Sequence, residues 1–312
     1  MTSGWVEANR VRLHYLEAGA GPAVILLHGF PETADSWRHQ LPALAAAGYR
    51  AIALDMRGHG NSDHPADPDA YDVLHTVGDV IGLLDVLDIE RAVVVGHDAG
   101  TTAAYHAALM RPDRVRGVVG LSVPYRPRGP ISMVEAFKGN VPPGFYMDFF
   151  REVGVSEADL ERDVGQTLRG LYFANSGENP DGPMLMIARE GGGLIETLPQ
   201  PSGEMAFLPK DVLDRSIKTW TRTGFTGGLN GYRVFQRNWE LTAPWNDMAL
   251  PVPSAFIGGL ADTVLLFPGM REAAETMGQC TLIDGAGHWI QAERPIEVNE
   301  ALVRFAASLP KD

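Results

Sequence analysis

Short runs of consecutive apolar residues recur in the first part of the chain and again near its end. Each run spans four to seven residues and is bounded by turn-forming residues. Runs of this length are too short for buried helices, and they predict strands that are buried on both faces of a sheet. The predicted strands are residues 23–27, 50–54, 92–95, 115–121, 253–258 and 281–284.

Longer amphipathic segments separate these runs. Residues 35–47, 71–87 and 101–110 have the length of helices, and residues 295–307 form a last segment of this kind. Strands that alternate with helices are typical of a parallel sheet with helices on both faces. The pattern therefore predicts an α/β protein with a mostly parallel sheet as its core.

The middle of the chain lacks the buried-strand pattern. From about residue 127 to residue 239 glycine and proline become more frequent, and helical segments such as 157–171 and 209–224 alternate with loops. Because the strand pattern then resumes, we predict one α/β core with a helical insertion. The predicted core is residues 1–128 and 240–312, and the predicted helical cap is residues 129–239.

The charge balance disfavours several kinds of partner. The 312 residues include 39 acidic and 26 basic side chains, and the formal net charge is −13. This charge repels phosphate backbones and anionic lipids, so we expect neither nucleic acid nor a membrane surface as a partner. No uncharged apolar run approaches the ~20 residues that span a bilayer. The first residues do not resemble a secretory signal, and a cytoplasmic location is expected.

Cysteine and histidine usage does not indicate disulfide or metal chemistry. The single cysteine, Cys280, lies in an apolar stretch and is expected to be a buried small side chain. The 9 histidines are scattered, and the sequence has no His-Glu-x-x-His motif or Cys/His cluster. We therefore expect neither a metal nor another cofactor.

The pentapeptide Gly96-His97-Asp98-Ala99-Gly100 follows the predicted strand 92–95 and precedes a predicted helix. Small residues around a central nucleophile between a strand and a helix are typical of a nucleophile elbow. A carboxylate at the centre attacks an alkyl carbon and forms an ester, which water can then cleave. In isolation the pentapeptide is more often an ordinary helix N-cap, so the interpretation depends on the other loops.

The first of these loops is His28-Gly29-Phe30-Pro31-Glu32, directly after the predicted strand 23–27. In a fold with a nucleophile elbow this loop supplies one backbone N–H to an oxyanion hole, and the residue after the nucleophile supplies the other. The candidates are Phe30 and Ala99. Pro31 is expected to stiffen the loop, and His28 to brace it rather than to act in catalysis.

Two further loops supply a base and an acid. His288 lies in the Gly-rich segment Gly285-Ala286-Gly287-His288-Trp289, and Asp262 follows the predicted strand 253–258. The chain order nucleophile, acid, histidine is the order of the elbow fold. Residues 122–128, after an earlier strand, hold no carboxylate that could replace Asp262. A turn cap at Asp262 and a loop hydrogen bond at His288 are the ordinary alternatives.

Together these motifs resemble the α/β-hydrolase-fold epoxide hydrolases, particularly the bacterial ones, over nearly the whole chain. The resemblance implies that Asp98 opens the epoxide to form a hydroxyalkyl ester. A neutral His288, oriented by Asp262, then activates the water that hydrolyses this ester. The family also uses two cap tyrosines to protonate the epoxide oxygen, and the resemblance places them at Tyr146 and Tyr232. Tyr172 is a rival for the first of these roles.

One position departs from this family. Many members have tryptophan after the nucleophile, where this chain has Ala99, so we expect a roomier pocket beside Asp98. Haloalkane dehalogenases resemble this chain less, since they hold the halide with that tryptophan and an asparagine at the position of Phe30. A dehalogenase and a ligand-binding protein on a hydrolase scaffold are the alternative functions.

The expected substrate is a neutral, apolar epoxide, because no basic residue is obviously aimed at the site. Aromatic residues of the cap and the motif loops are the candidate lining, although such residues are more often core. The candidate substrate-binding residues are Phe30, Pro31, Phe149 and Trp289. A homodimer is expected from the resemblance alone.

Overall fold

A single sheet forms the centre of the protein. The computed structural model describes residues 1–310, and eight strands are found within them. They are β1 (Thr2–Ala8), β2 (Val11–Ala18), β3 (Ala23–Leu27), β4 (Arg50–Leu54), β5 (Ala92–His97), β6 (Val115–Leu121), β7 (Ser254–Gly259) and β8 (Gln279–Ile283). Their spatial order is β1-β2-β4-β3-β5-β6-β7-β8. The pairs β1–β2 and β2–β4 are antiparallel and all other neighbours are parallel, which confirms the predicted fold class.

The amino-terminal hairpin was not predicted. Strands β1 and β2 pair from Thr2 opposite Glu17 to Ala8 opposite Val11. Asn9 and Arg10 form the turn with φ values of 50° and 65°, the left-handed conformation that two-residue hairpin turns need. The hairpin's partly exposed strands lack the continuous apolar runs of the central strands, so that pattern did not reveal them.

Helices connect the strands and fill the region between β6 and β7. They are α1 (Gln40–Ala46), α2 (Val73–Val86), α3 (Gly100–Met110), α4 (Met133–Phe137), α5 (Tyr146–Phe149), α6 (Val155–Leu160), α7 (Val164–Ala174), α8 (Lys210–Thr223), α9 (Thr226–Arg233), α10 (Phe235–Leu241), α11 (Met270–Thr276), α12 (Ile290–Glu293) and α13 (Pro295–Ser308). Within residues 1–310, none of the helices has the length and hydropathy needed to cross a membrane.

Two predicted helices are interrupted. Residues 35–47 form a 3₁₀ helix, Ala34–Trp37, and then α1. Pro42 has no N–H to donate to a preceding turn, so it is compatible only with the first turn of a new helix. Residues 157–171 are divided because Asp163 has extended backbone and accepts a hydrogen bond from the Gln166 N–H at 2.8 Å, which makes it the N-cap of α7.

Alternating side chains of the central strands pack on opposite faces of the sheet. Ile25 of β3 joins a cluster with α2 and α3, whereas the next residue, Leu26, joins a second cluster with α1 and α13. Both side chains are fully buried. Since successive residues of a strand point to opposite faces, the continuous apolar run of β3 reflects a sheet covered on both sides.

A third hydrophobic cluster lies in the helical region between β6 and β7. Helices α5, α7, α8 and α9 and the segment between α7 and α8 supply most of its members, while Phe30 and Trp289 join it from loops that follow β3 and β8. Because these two loops leave the carboxyl ends of their strands, the helical region lies over that edge of the sheet. Ligands of open α/β sheets bind at this edge.

Cys280 differs from the expectation. It lies on β8, the last strand at one edge of the sheet, and its side chain is exposed rather than buried. The residues of this edge strand are half-buried or exposed, so its apolar residues do not belong to the core.

Candidate active site

Asp98 lies in a sharp turn between β5 and α3. Its φ is 50°, in the left-handed region that non-glycine residues rarely adopt. A Cβ on Gly96 would lie 2.5 Å from the Gly100 carbonyl oxygen, and a Cβ on Gly100 would lie 2.3 Å from the Leu27 carbonyl oxygen. Both approaches are too close for a side chain, so the two glycines allow the turn that exposes Asp98 at the end of the sheet.

The loop after β3 approaches the Asp98 carboxylate. The Phe30 N–H donates to Asp98 Oδ1 at 3.1 Å, and the Ala99 N–H lies close enough to the same carboxylate to help lower its pKa. A Cβ on Gly29 would lie 2.2 Å from Asp98 Oδ1, so this position tolerates only glycine. His28 braces the loop, since its Nε2 accepts the Met56 N–H at 3.1 Å. The two N–H groups predicted for the oxyanion hole thus lie at one carboxylate.

His288 lies between two carboxylates. Its Nε2 is 3.3 Å from Asp98 Oδ2, and its Nδ1 is 3.0 Å from Asp262 Oδ2 and 3.1 Å from Oδ1. Asp262 is fully buried and also accepts the Val264 N–H at 2.9 Å. The structure therefore brings together three residues that are far apart in the sequence.

The charged side chains of this site shift the pKa values of His288 and Asp98. Burial lowers the pKa of His288, but the charge of Asp262 and the hydrogen bonds to Asp262 and Asp98 outweigh burial and raise it well above 6.5. Burial raises the pKa of Asp98, but the hydrogen bond and charge of His288 outweigh burial and lower it. These shifts favour an Asp98 anion paired with a His288 cation before any ligand is bound.

Tyr146 and Tyr232, in the helical region, lie close enough to the same carboxylate to respond to its charge. Tyr146 begins α5 and Tyr232 lies on α9, and their ring centroids are 6.4 Å apart. Burial raises the pKa of both phenols, and the charge of Asp98 raises both further. Among residues 1–310, no hydrogen bond to either hydroxyl is found. Both hydroxyls therefore stay protonated and have no acceptor within the described residues.

The candidate substrate-binding residues surround these groups. Phe30 packs edge-to-face against Phe150 and Tyr232 at 5.5 and 5.9 Å, and the Phe30–Pro31 peptide bond is cis. Phe149 is buried in the same cluster. Trp289 lies beside His288, with ring centroids 4.9 Å apart.

Tyr172, the rival acid, is directed elsewhere. Its hydroxyl lies 3.4 Å from the Pro31 carbonyl oxygen, and its ring packs on Trp289 at 4.7 Å. The pKa of Tyr172 is raised by burial and then by the charge of Glu32, with no contribution from Asp98. Its surroundings therefore differ from those of Tyr146 and Tyr232.

A buried polar chain supports the histidine loop, and sequence reasoning did not assign it a role. Glu32 is bonded to His97 Nδ1 at 2.7 Å, and His97 Nε2 is bonded to the His288 carbonyl oxygen at 2.8 Å. The Ser122 hydroxyl donates to the same carbonyl at 2.6 Å. Glu32 and His97 lie inside the motifs quoted above, and charged residues next to buried strands are the signal that could have identified them.

Glu293 fixes the other end of this loop. Its carboxylate accepts the N–H groups of Gly177, Gly287 and Trp289 at 2.8, 2.9 and 3.0 Å. It thereby joins the histidine loop to the segment after α7. No pattern in the sequence indicates this contact, because the residues come together only in the fold. Among the described residues 1–310, no group of three or more potential metal ligands is found.

Comparison with known proteins agrees with this arrangement. A family model described as alpha/beta hydrolase fold matches residues 22–295. Epoxide hydrolase A of Mycobacterium tuberculosis is 46% identical over 318 aligned residues, which cover 99% of this chain and 98% of that protein. The crystal structure of epoxide hydrolase A from Mycobacterium thermoresistibile has a TM-score of 0.92 and 44% identity, with 100% and 99% of the chains covered. Potato (Solanum tuberosum) epoxide hydrolase I has a TM-score of 0.91 and 34% identity, with 99% of each chain covered.

The fold and the family match together define an enzyme of the α/β-hydrolase class. Within this class the chain belongs to the epoxide hydrolase family. The resemblance identified from the motifs is thereby confirmed.

Proposed function

We propose that the protein converts apolar epoxides to vicinal diols through a covalent ester on Asp98. One observation carries the proposal: two hydroxyls without protein partners lie within range of the charge of a carboxylate that is paired with a histidine. An epoxide needs both features, since its carbon takes the nucleophile while its oxygen takes a proton. A departing halide needs no proton, so the tyrosine pair favours an epoxide over a haloalkane.

In the first step an Asp98 oxygen bonds to an epoxide carbon and the carbon–oxygen bond of the ring breaks. The released oxygen takes a proton from Tyr146 or Tyr232, which leaves a phenolate and a hydroxyalkyl ester. The ester carries no negative charge, so His288 loses one of the two carboxylates that raise its pKa. The imidazolium then returns a proton to the phenolate and becomes a neutral base.

In the second step neutral His288, oriented by Asp262, takes a proton from water, and the hydroxide attacks the ester carbonyl carbon. The N–H groups of Phe30 and Ala99 stabilise the oxyanion that forms. When the intermediate collapses, the diol leaves as an alkoxide and takes the carboxylic acid proton. Asp98 is again an anion and His288 a cation, so the proton count returns to its starting value.

The helical segment acts in this proposal as a cap over the sheet. Residues 129–239 carry both tyrosines and residues 1–128 and 240–312 carry the triad, although the boundary at residue 239 lies inside α10. Phe30, Pro31, Phe149 and Trp289 line the apolar part of the pocket. A homodimer and a cytoplasmic location stay predictions.

The test is incubation of the protein with racemic styrene oxide and quantification of the diol. The wild type should form diol, and Asp98→Ala should lose turnover by about 10⁴-fold or more, as when other catalytic nucleophiles are removed. Asp113→Ala, which removes an exposed carboxylate paired with Arg111, is the matched control and should behave as the wild type. Equal turnover by Asp98→Ala and the wild type would contradict the proposed nucleophile, and diol formed by neither would contradict the proposed reaction.

A further inference from the structure

The end of helix α7 lies against the loop that carries His288. The His288 N–H donates to the Asn175 carbonyl oxygen at 2.7 Å, and the Trp289 indole donates to the Tyr172 carbonyl oxygen at 2.8 Å. Asn175 is the residue that ends α7, and the last carbonyl groups of a helix have no partner inside it. The cap therefore supplies a free carbonyl to the backbone of the base.

The two backbones approach each other too closely for side chains. A Cβ on Gly287 would lie 2.3 Å from the Asn175 carbonyl oxygen, and a Cβ on Gly177 would lie 2.4 Å from the Gly285 carbonyl oxygen. The residue before His288 and the end of α7 thus pack backbone against backbone. The position of the histidine therefore follows that of Asn175.

The side chain of the same asparagine contacts the loop of the acid. The Thr263 hydroxyl donates to Asn175 Oδ1 at 3.1 Å, and Thr263 directly follows Asp262. On its other side the Asn175 amide nitrogen lies 3.9 Å from Met186 Sδ. The hydroxyl is also 3.4 Å from the Met184 carbonyl oxygen. Both acceptors of the Thr263 hydroxyl thus belong to the cap.

The acid loop is fixed on each side of Asp262. Before it, the Ala261 N–H donates to the Ala286 carbonyl oxygen at 2.9 Å, a direct bond to the loop of the base. After it, the Thr263 hydroxyl supplies the bond to the cap. The Asp262 oxygens lie 3.0 and 3.1 Å from His288 Nδ1, and a shift of either loop would change these distances.

We propose that Asn175 is a positioning residue for the His288–Asp262 pair, with its backbone carbonyl holding the base and its side chain holding the acid loop. The inference rests on the proposed function and extends it, because the cap then acts in ester hydrolysis as well as in alkylation. Tyr146 and Tyr232 serve the first step, whereas the end of α7 serves the second. Asn175 acts through the alignment of His288 and not on the ester itself.

The experiment measures formation and decay of the Asp98 ester separately, by stopped-flow fluorescence in single turnovers of styrene oxide. Thr263→Val removes the hydroxyl and Asn175→Ala removes its acceptor. Each should slow ester decay by about 10-fold or more, since small misplacements of a catalytic group lower rates strongly. Ester formation should keep the wild-type rate. Thr263→Ser retains the hydroxyl and should restore ester decay.

Thr197→Val is the matched control. Thr197 is another half-buried cap threonine, and its hydroxyl donates to the Ile187 carbonyl oxygen at 2.8 Å. The variant loses a hydrogen bond of the same kind and should leave both rates unchanged. The double variant of Thr263→Val and Asn175→Ala should resemble the slower single variant, because both changes remove one shared bond.

Ester decay at the wild-type rate in Thr263→Val and Asn175→Ala would overturn this inference and leave the proposed function intact. Equal slowing of formation and decay would also overturn it, as would a loss in Thr263→Ser equal to that in Thr263→Val. Absence of both ester and diol in the wild type would instead overturn the proposed function. Thermal midpoints check folding, and Thr263→Val, which nearly conserves side-chain volume, decides the question if Asn175→Ala does not fold.

Discussion

The two halves of the candidate site are held in place by different forces. On the sheet side, Asp98 and His288 are fixed by hydrogen bonds to backbone and to buried side chains. On the cap side, Tyr146 and Tyr232 are positioned by packing against rings such as Phe150, at 5.6 and 5.1 Å. The difference follows from chemistry, because charged groups below the cap need partners when buried, whereas phenols can rely on apolar contact.

This contrast has a functional meaning. The sheet side uses its hydrogen bonds to hold an ion pair ready, so few of its polar groups remain for a substrate. The cap side leaves its two hydroxyls without protein partners, so they can bind the epoxide oxygen. If the contrast is correct, variants of the two halves should separate in both activity and stability.

Among variants that keep the nucleophile, the largest effect is expected from His288→Gln. Alkylation of Asp98 should continue, while hydrolysis of the ester should slow by about 10³-fold or more because the general base is lost. Intact-protein mass measured after a single turnover should show one added epoxide. His75→Gln, at a half-exposed histidine bonded to Asp72, is the control and should accumulate no adduct. An unmodified mass in His288→Gln would argue against this role.

A smaller effect is expected from Tyr146→Phe and Tyr232→Phe. Each should slow alkylation by about 10- to 100-fold and the double variant by more, within the range of general acid catalysis. Thermal midpoints should hardly change, since the hydroxyls lack protein partners. Tyr172→Phe serves as the control and tests the rival assignment: it should alkylate at the wild-type rate. A loss in Tyr172→Phe equal to that in Tyr146→Phe would reverse the assignment.

The smallest effect is expected from a change of pH, which should alter the rate of ester hydrolysis but not the rate of alkylation. Ester hydrolysis needs neutral His288. Its rate should therefore rise with pH through the pKa that His288 has in the ester intermediate, and then level off. That pKa is lower than in the free enzyme, because Asp98 no longer contributes its charge. Alkylation should not decline up to about pH 10, since burial and the charge of Asp98 raise the pKa of both phenols above 10.0. Single-turnover fluorescence between pH 6 and about 10 checks this, and a falling alkylation rate near pH 8 would contradict it.

Much of the fold was accessible from the chain because its signals are local. The runs 23–27 and 50–54 coincide with β3 and β4, because a strand that is buried on both faces of the sheet has a continuous apolar sequence. The hairpin of β1 and β2 was missed because its strands are partly exposed and therefore mix apolar with polar residues. Pro42 and Asp163 were visible, but their effect on helix continuity depends on where each helix begins.

The candidate site divides in the same way. Asp98, Asp262 and His288 lie in motifs with strong local signatures, and the structure brings them together. Glu293 gains its role only through contacts with residues 177 and 287, which no local pattern encodes. The raised pKa of His288 has no signal in the sequence, because it depends on two carboxylates at 3.0 and 3.3 Å. Distances of this kind belong to the folded chain.

The exposed thiol of Cys280 offers a practical handle on this molecule. It is the one cysteine of the sequence, and it lies on the edge strand β8. A maleimide dye should therefore attach at a single site without any cysteine being removed by mutation. Partial desolvation of the sulfur raises the pKa of this thiol, so labelling needs mildly alkaline buffer. A fluorophore fixed there reports tumbling, and hence the number of subunits in solution, by anisotropy alone.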